Sequence, residues 1–156
     1  METVKLIWNG VYLLSELNEI GNSFEPETVL VMVLEGRYEE VKGRREFKNS
    51  QILYISSCQK EGYEGKLRAL KKTGKLSQWQ NKTKKSLLFS LACVEAKTRE
   101  TLDPFLLRDV ESALVYRVKP RGNAPLAFYS GQDLEIINLG NEELLPSPIV
   151  CKKNIL

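Results

Sequence analysis

Tyr54 stands at the end of the apolar stretch QILYIS, and the run from Lys60 to Lys85 that follows it carries nine lysines and arginines. Further along, Glu111 interrupts an apolar helical pattern. At a helical spacing of about 100° per residue it projects between Val115 and Val118, so its carboxylate is turned partly toward the protein. The chain has no histidine, which removes Ser-His-Asp and Cys-His catalysis and every His-ligated metal site. Acid–base chemistry is left to carboxylates, tyrosines and lysines. Any metal is expected to be a hard, oxygen-ligated ion such as magnesium.

The charge is unevenly distributed. Lys60, Lys66, Arg68, Lys71, Lys72, Lys75, Lys82, Lys84 and Lys85 face only Glu61 and Glu64 within that run, a local charge of +7 in a chain of +3, which leaves −4 elsewhere. A basic patch on an otherwise acidic domain suits a polyanion, although a charge run is more commonly a solvated helix face. Cys58, Cys93 and Cys151 have no C-x-x-C spacing and are expected to be reduced thiols. The longest apolar runs, such as TVLVMVL, are too short to cross a bilayer, and METVKLIWNG lacks the apolar segment of a signal peptide. An intracellular protein with no membrane partner is expected. At 156 residues the chain can build one sizeable core.

The elements that must position these residues follow from periodicity and punctuation. VKLIWNGVYLLSELNEI combines a short apolar stretch, a turn at Asn9-Gly10 and a short helix from Ser15, a segment that could pack on the edge of the domain, with Pro26 as its boundary. TVLVMVLEG, residues 28–36, is a continuous β-prone run expected of a strand covered on both faces. RYEEVKGRREFKNS is polar and turn-rich with Gly43 as its bend, and QILYIS, 51–56, is the next strand. The two strands are expected to form an antiparallel hairpin with a long connection. GKLRALKKTGK reads as a helix with Leu67 and Leu70 facing inward. Residues 77–85 read as a polar loop or a short helix containing Trp79. SLLFSLACVEA is a strand candidate that could also pass for a helix. Asp103 as N-cap, Pro104 at the first helical position and the stop at Lys119-Pro120 define a helix through FLLRDVESALVYRV. A further strand is expected around 134–137, followed by an irregular end.

In this order of elements the residues resemble the GIY-YIG endonucleases. LYIS looks like the second strand motif, with Tyr54 and Ile55 in place and Ser56 where the family has glycine. Arg68 in GKLRAL is similar to the helix arginine, preceded by a longer loop through Gly62 and Gly65. Glu111 looks like the glutamate of the family's E-x-A-L-I segment, and Asn123 resembles the asparagine of its K-P-P-L-N segment. The first strand departs from the pattern, because ETVLVMVLEG has no tyrosine. GVYLL, 10–14, does spell such a motif but lies too far before Tyr54 for a simple hairpin, so 28–36 is taken as the first strand and Tyr12 as part of a peripheral entry segment.

The resemblance implies an α+β fold: a small, mainly antiparallel three-stranded sheet flanked by helices, spanning 27–126, with an N-terminal extension, 1–26, and a C-terminal one, 127–156. It implies catalytic roles for four residues. Glu111 would hold Mg2+ or Mn2+ beside the scissile phosphate, Arg68 would stabilise the pentavalent phosphate, Tyr54 would orient water or phosphate, and Asn123 would hydrogen-bond within the site. Lys66, Lys71, Lys72, Lys75, Lys82, Lys84 and Lys85 would bind backbone phosphates, with DNA as the partner. Each residue also has a plain structural role open to it. Tyr54 can pack at a sheet edge, Arg68 can be a solvated helix charge, Glu111 can pair with Arg108, and Asn123 can be a turn residue. The same fold could serve as a DNA-binding module without catalysis, since the missing first tyrosine and Ser56 both weaken the motif; a third reading is an unrelated α+β interaction protein.

Overall fold

A computed structural model of the chain describes residues 1–20, 28–58, 62–97, 101–140 and 143–153. The boundary expected at Pro26 lies outside them. The described chain runs β1 (Glu2–Leu13), α1 (Leu14–Ile20), β2 (Leu30–Val41), β3 (Arg44–Ser57), α2 (Gly62–Lys72), α3 (Lys75–Lys82), β4 (Ser86–Val94), α4 (Pro104–Val118), β5 (Leu134–Leu139) and β6 (Ile149–Cys151). Among the described residues one mixed sheet has the order β3-β2-β4-β1-β5-β6 and curls into a half-barrel. The small three-stranded sheet expected from the sequence is thereby corrected.

The cause is the N-terminus. It is not an extension packed on the domain but a strand in the middle of the sheet, antiparallel to β4 and parallel to β5. Val4, Leu6 and Trp8 alternate into the core with exposed or half-buried residues between them, the period-2 pattern of a strand. Charged and polar neighbours shorten the apolar run and hide this pattern. The Trp8 indole N–H donates to buried Asn138 at 3.0 Å, joining β1 to β5. Chain beyond 127 also contributes, since β5 and β6 pair antiparallel where only one further strand and an irregular end are expected.

The antiparallel hairpin of β2 and β3 is as expected, but its connection is not long. Lys42 and Gly43, with φ of 53° and 75°, form a two-residue turn, and pairing runs out to Val41 and Arg44. Two positive φ values match the right-handed twist of the flanking strands. Residues 37–45 are mostly exposed, so this part of the ribbon carries no apolar alternation and reads as loop. Tyr38 and Phe47 pair across it with ring centroids 5.7 Å apart.

Helices cover the sheet on both faces. Leu30, Met32 and Leu34 pack with Leu88, Ile55 and the apolar stripe Leu107, Val110, Ala113 and Leu114 of α4. Val31 and Val33 point the other way, into a second cluster with Tyr54, Phe89, Leu91, Leu70 of α2 and Leu76 of α3. This double coverage makes TVLVMVL a continuous apolar run, and it makes β4 a strand with buried residues of both parities. The expected punctuation of α4 is present: the Asp103 carboxylate accepts from the Phe105 N–H at 3.0 Å, Pro104 opens the helix, and Lys119 closes it in the left-handed region. Gly62 and Gly65 lie within α2 rather than in a preceding loop, and the segment around Trp79 is the helix α3.

Candidate phosphate-binding surface and strand-edge site

β3 is an edge of the sheet, so every second residue turns its backbone polar groups away from β2. A bare edge is costly where water is excluded and invites pairing with other chains. Here α4 and the turn after it cover the edge. The Gly122 N–H donates to the Leu53 carbonyl at 2.7 Å. The Asn123 side chain bonds Ile55 on both sides, its Oδ1 accepting from the Ile55 N–H at 2.9 Å and its Nδ2 donating to the Ile55 carbonyl at 2.8 Å. Two residues on, the Ser57 N–H donates to Glu111 Oε1 at 2.7 Å. Asn123 and Glu111 therefore meet on one strand edge.

Tyr54 lies in the same stretch of β3, but its ring points to the α2–α3 face, buried in the second cluster. Trp79 packs on it with ring centroids 5.3 Å apart. Two ammonium groups approach the phenol ring, Lys66 Nζ at 5.9 Å and Lys75 Nζ at 5.3 Å from the centroid, within reach of a cation–π attraction. Ser56 shares this parity and is almost wholly buried; its hydroxyl donates to the Ser57 carbonyl at 3.2 Å.

Arg68 is elsewhere. It follows Lys66 by two residues on α2, about 200° around the helix, and it is exposed, lining a cavity of about 330 Å³ with Leu14, Leu17, Leu67 and Lys71. The cations over Tyr54 are Lys66 and Lys75, not the arginine. Asn123 lines a separate hollow near Lys119 and Pro125. Neither of these cavities holds two of Tyr54, Arg68, Glu111 and Asn123. Arg108 stacks on Phe105 at 5.3 Å and makes no ion pair with Glu111 among the described residues. Tyr12 packs against the same cluster as Tyr54, but on β1, three strand spacings away, or about 14 Å.

The cations of α2 and α3 share one electrostatic feature. Lys66, Arg68, Lys71, Lys72, Lys75 and Lys82, with Lys84 just after α3, form no ion pair among the described residues; Lys5, Arg45, Lys48 and Arg121 are paired with carboxylates, and other cations such as Arg37, Lys42, Arg44, Arg108 and Lys119 are not, so what sets α2 and α3 apart is the density of their charge. Unneutralised charges on adjacent short helices reinforce one another over a Debye length of about 8 Å. Glu111 is half-buried, and its second carboxylate oxygen accepts no hydrogen bond among the described residues. Those residues contain no group of three or more His, Cys, Asp or Glu able to hold a metal. A divalent ion here would rest on one carboxylate, water and substrate phosphate, which is a usual mode for magnesium.

Sequence reading alone missed Glu35 and Arg121. Glu35 is buried in β2 and paired with Arg121 from the turn after α4. The signal was available: Glu35 continues the parity of Val31 and Val33, so a carboxylate was aimed at the same helical face.

No family model matches the chain, and neither the curated proteins nor the solved structures contain a match. No helix of the described residues is long and apolar enough to cross a membrane.

Proposed function

We propose that the protein acts on nucleic acid, binding the phosphate backbone of DNA through α2 and α3 and hydrolysing a phosphodiester at the β3 edge in the manner of a GIY-YIG endonuclease. The observation that carries this reading is the set of unpaired cations on α2 and α3 beside a strand whose end receives a partly open carboxylate from α4. The order of pieces supports it: Tyr54 on β3, the cationic helices next, then Glu111 and Asn123. Lys66 and Lys75, whose ammonium groups lie over the Tyr54 ring, would hold a phosphate near the phenol, and the other lysines would give affinity with little sequence reading. Glu111 would hold Mg2+ or Mn2+ through its second oxygen, and the ion when bound would neutralise charge at the scissile phosphate. Asn123 acts as a positioning residue, because both ends of its amide are committed to Ile55.

That commitment also favours a second reading. If Asn123 and Glu111 serve only to seal the strand edge, the domain is a DNA-binding module without catalysis. Glu111→Gln separates the two, since it keeps an oxygen to accept from the Ser57 N–H and removes only the charge. Plasmid is incubated with the protein and magnesium or manganese. The expected result is nicking by the wild type and a loss of roughly a hundredfold or more in the variant, the scale of losing one preorganised electrostatic partner, with DNA affinity unchanged. Salt-sensitive binding without nicking by the wild type would establish the module, and failure to bind DNA at low salt would reject both readings.

A further inference from the structure

Beside the cationic surface lies a cavity of about 350 Å³ between β2, β3, α3 and the turn after α4, lined by Glu35, Leu53, Trp79, Lys82, Arg121 and Gly122. Its chemistry is mixed in a way a packing defect is not. Trp79 and Leu53 supply an apolar wall. Lys82 and the Arg121 guanidinium are exposed, the latter's side chain at 63%, while the Glu35 side chain is only 9% exposed. The turn packs close on β3 here: a Cβ at Gly122 would lie 2.5 Å from the Leu53 carbonyl oxygen and 3.2 Å from the Trp79 ring, an approach that only glycine allows. Irregular pairing of β2 with β3 occurs on either side of Glu35, between Val33 and Leu34 and between Glu35 and Arg37. Such bulges commonly re-aim side chains next to functional sites.

Glu35 gives Oε1 to Arg121, while its Oε2 accepts no hydrogen bond among the described residues; that oxygen, the Trp79 wall and Lys82 at the mouth match one nucleotide in three parts. A base stacks on an aromatic ring, its N–H donors are read by a carboxylate, and its phosphate is neutralised by Lys and Arg. The volume lies at the small end of ligand sites. A base held in a duplex cannot enter such a cavity, because its edge and faces are occupied by pairing and stacking.

We infer that this cavity receives an unpaired nucleobase, stacked against Trp79 with an N–H toward Glu35 Oε2 and its phosphate at Lys82. The inference deepens the nucleic-acid reading above and rests on it for biological context: the substrate has a single-stranded or unpaired nucleotide beside the backbone that α2 and α3 hold. Guanine, a purine with N–H donors on its edge, offers both the stack and the donor.

Tryptophan fluorescence tests this directly, because Trp8 is buried and leaves Trp79 as the accessible reporter. Guanosine 5′-monophosphate is titrated first, then a single-stranded oligonucleotide and a blunt duplex of equal length. The expected outcome is quenching by the mononucleotide, weaker quenching by uridine 5′-monophosphate, and single-strand affinity at least about fivefold above duplex, the low end for one stacked base. Calorimetry on Trp79→Leu, with its fold checked by thermal melting, is expected to show the single-strand preference gone and duplex binding retained. Lys82→Ala, at an exposed position, is expected to weaken mononucleotide binding several-fold. Duplex binding with no mononucleotide quenching and no single-strand preference would overturn the cavity and leave the surface reading intact. Mononucleotide quenching without binding of either polymer would keep the cavity and overturn the surface reading.

Discussion

Asn123 does for β3 what a neighbouring strand would do, satisfying one N–H and one carbonyl with a single side chain. Removing it leaves two backbone groups without partners in a place where water has limited access. Asn123→Ala is expected to cost about 1–3 kcal/mol, read as a shift in urea midpoint with an unchanged m-value; a shift near zero would mean water replaces the amide at the edge. Asn123→Asp retains the acceptor for the Ile55 N–H but sets a carboxylate against the Ile55 carbonyl, so it rescues little. The residue was legible only as a turn asparagine or by resemblance, because its partner lies 68 positions away. Glu111 was more readable: its place between Val115 and Val118 gave its inward direction, while the Ser57 N–H that meets it belongs to a strand edge whose cover no local pattern reveals.

Secondary-structure elements were legible where both period and punctuation were present. α4 had an N-cap, a proline and a stop at Lys119-Pro120, and the hairpin strands near Val31 and Tyr54 had apolar runs. The outer ribbon and β1 lacked one or both signals, since a ribbon beyond the core buries neither face and β1 mixes lysine, asparagine and glycine into its alternation. These two elements are linked through α1, where Glu16 reaches back to the Leu13 N–H at 2.9 Å and pairs with Arg45 of β3, the reciprocal bond of a capping box. Burial alone would raise the Glu16 carboxyl, but the Leu13 N–H and Arg45 outweigh it and hold the group below its ordinary value. The sign follows by linkage. With the folded value depressed, the stabilisation is present above the unfolded carboxylate range, near pH 4.3, and is lost as pH falls through the lower folded value. Glu16→Gln is therefore expected to lower stability slightly at pH 7, within the range of a surface pair, and to flatten the acid limb of a stability–pH curve. An acid limb identical to that of the wild type would remove this link between α1 and the ribbon.

Across the whole molecule, charge is the feature that sequence and structure describe alike. The local +7 between Lys60 and Lys85 becomes a surface on two adjacent short helices, while carboxylates elsewhere are drawn into pairs with Arg45, Lys48 and Arg121. The position of that surface relative to Glu111, Asn123 and the Glu35–Arg121 pair was not legible, because it depends on the turn after α4 folding back along β3. The chain thus sets the cations and the Tyr54–Trp79 pair on the α2–α3 face of the sheet, while Glu111 reaches the end of β3 from α4, which packs on the other face.

The most direct test of that arrangement is the salt dependence of duplex DNA binding, measured for the wild type and for a variant with Lys71, Lys72 and Lys75 replaced by glutamine. The account predicts a steep loss of affinity with salt, and a log–log slope flattened in the variant by about 0.9 for each lysine that contacts phosphate. A slope identical in the two proteins, or no binding at low salt, would contradict it.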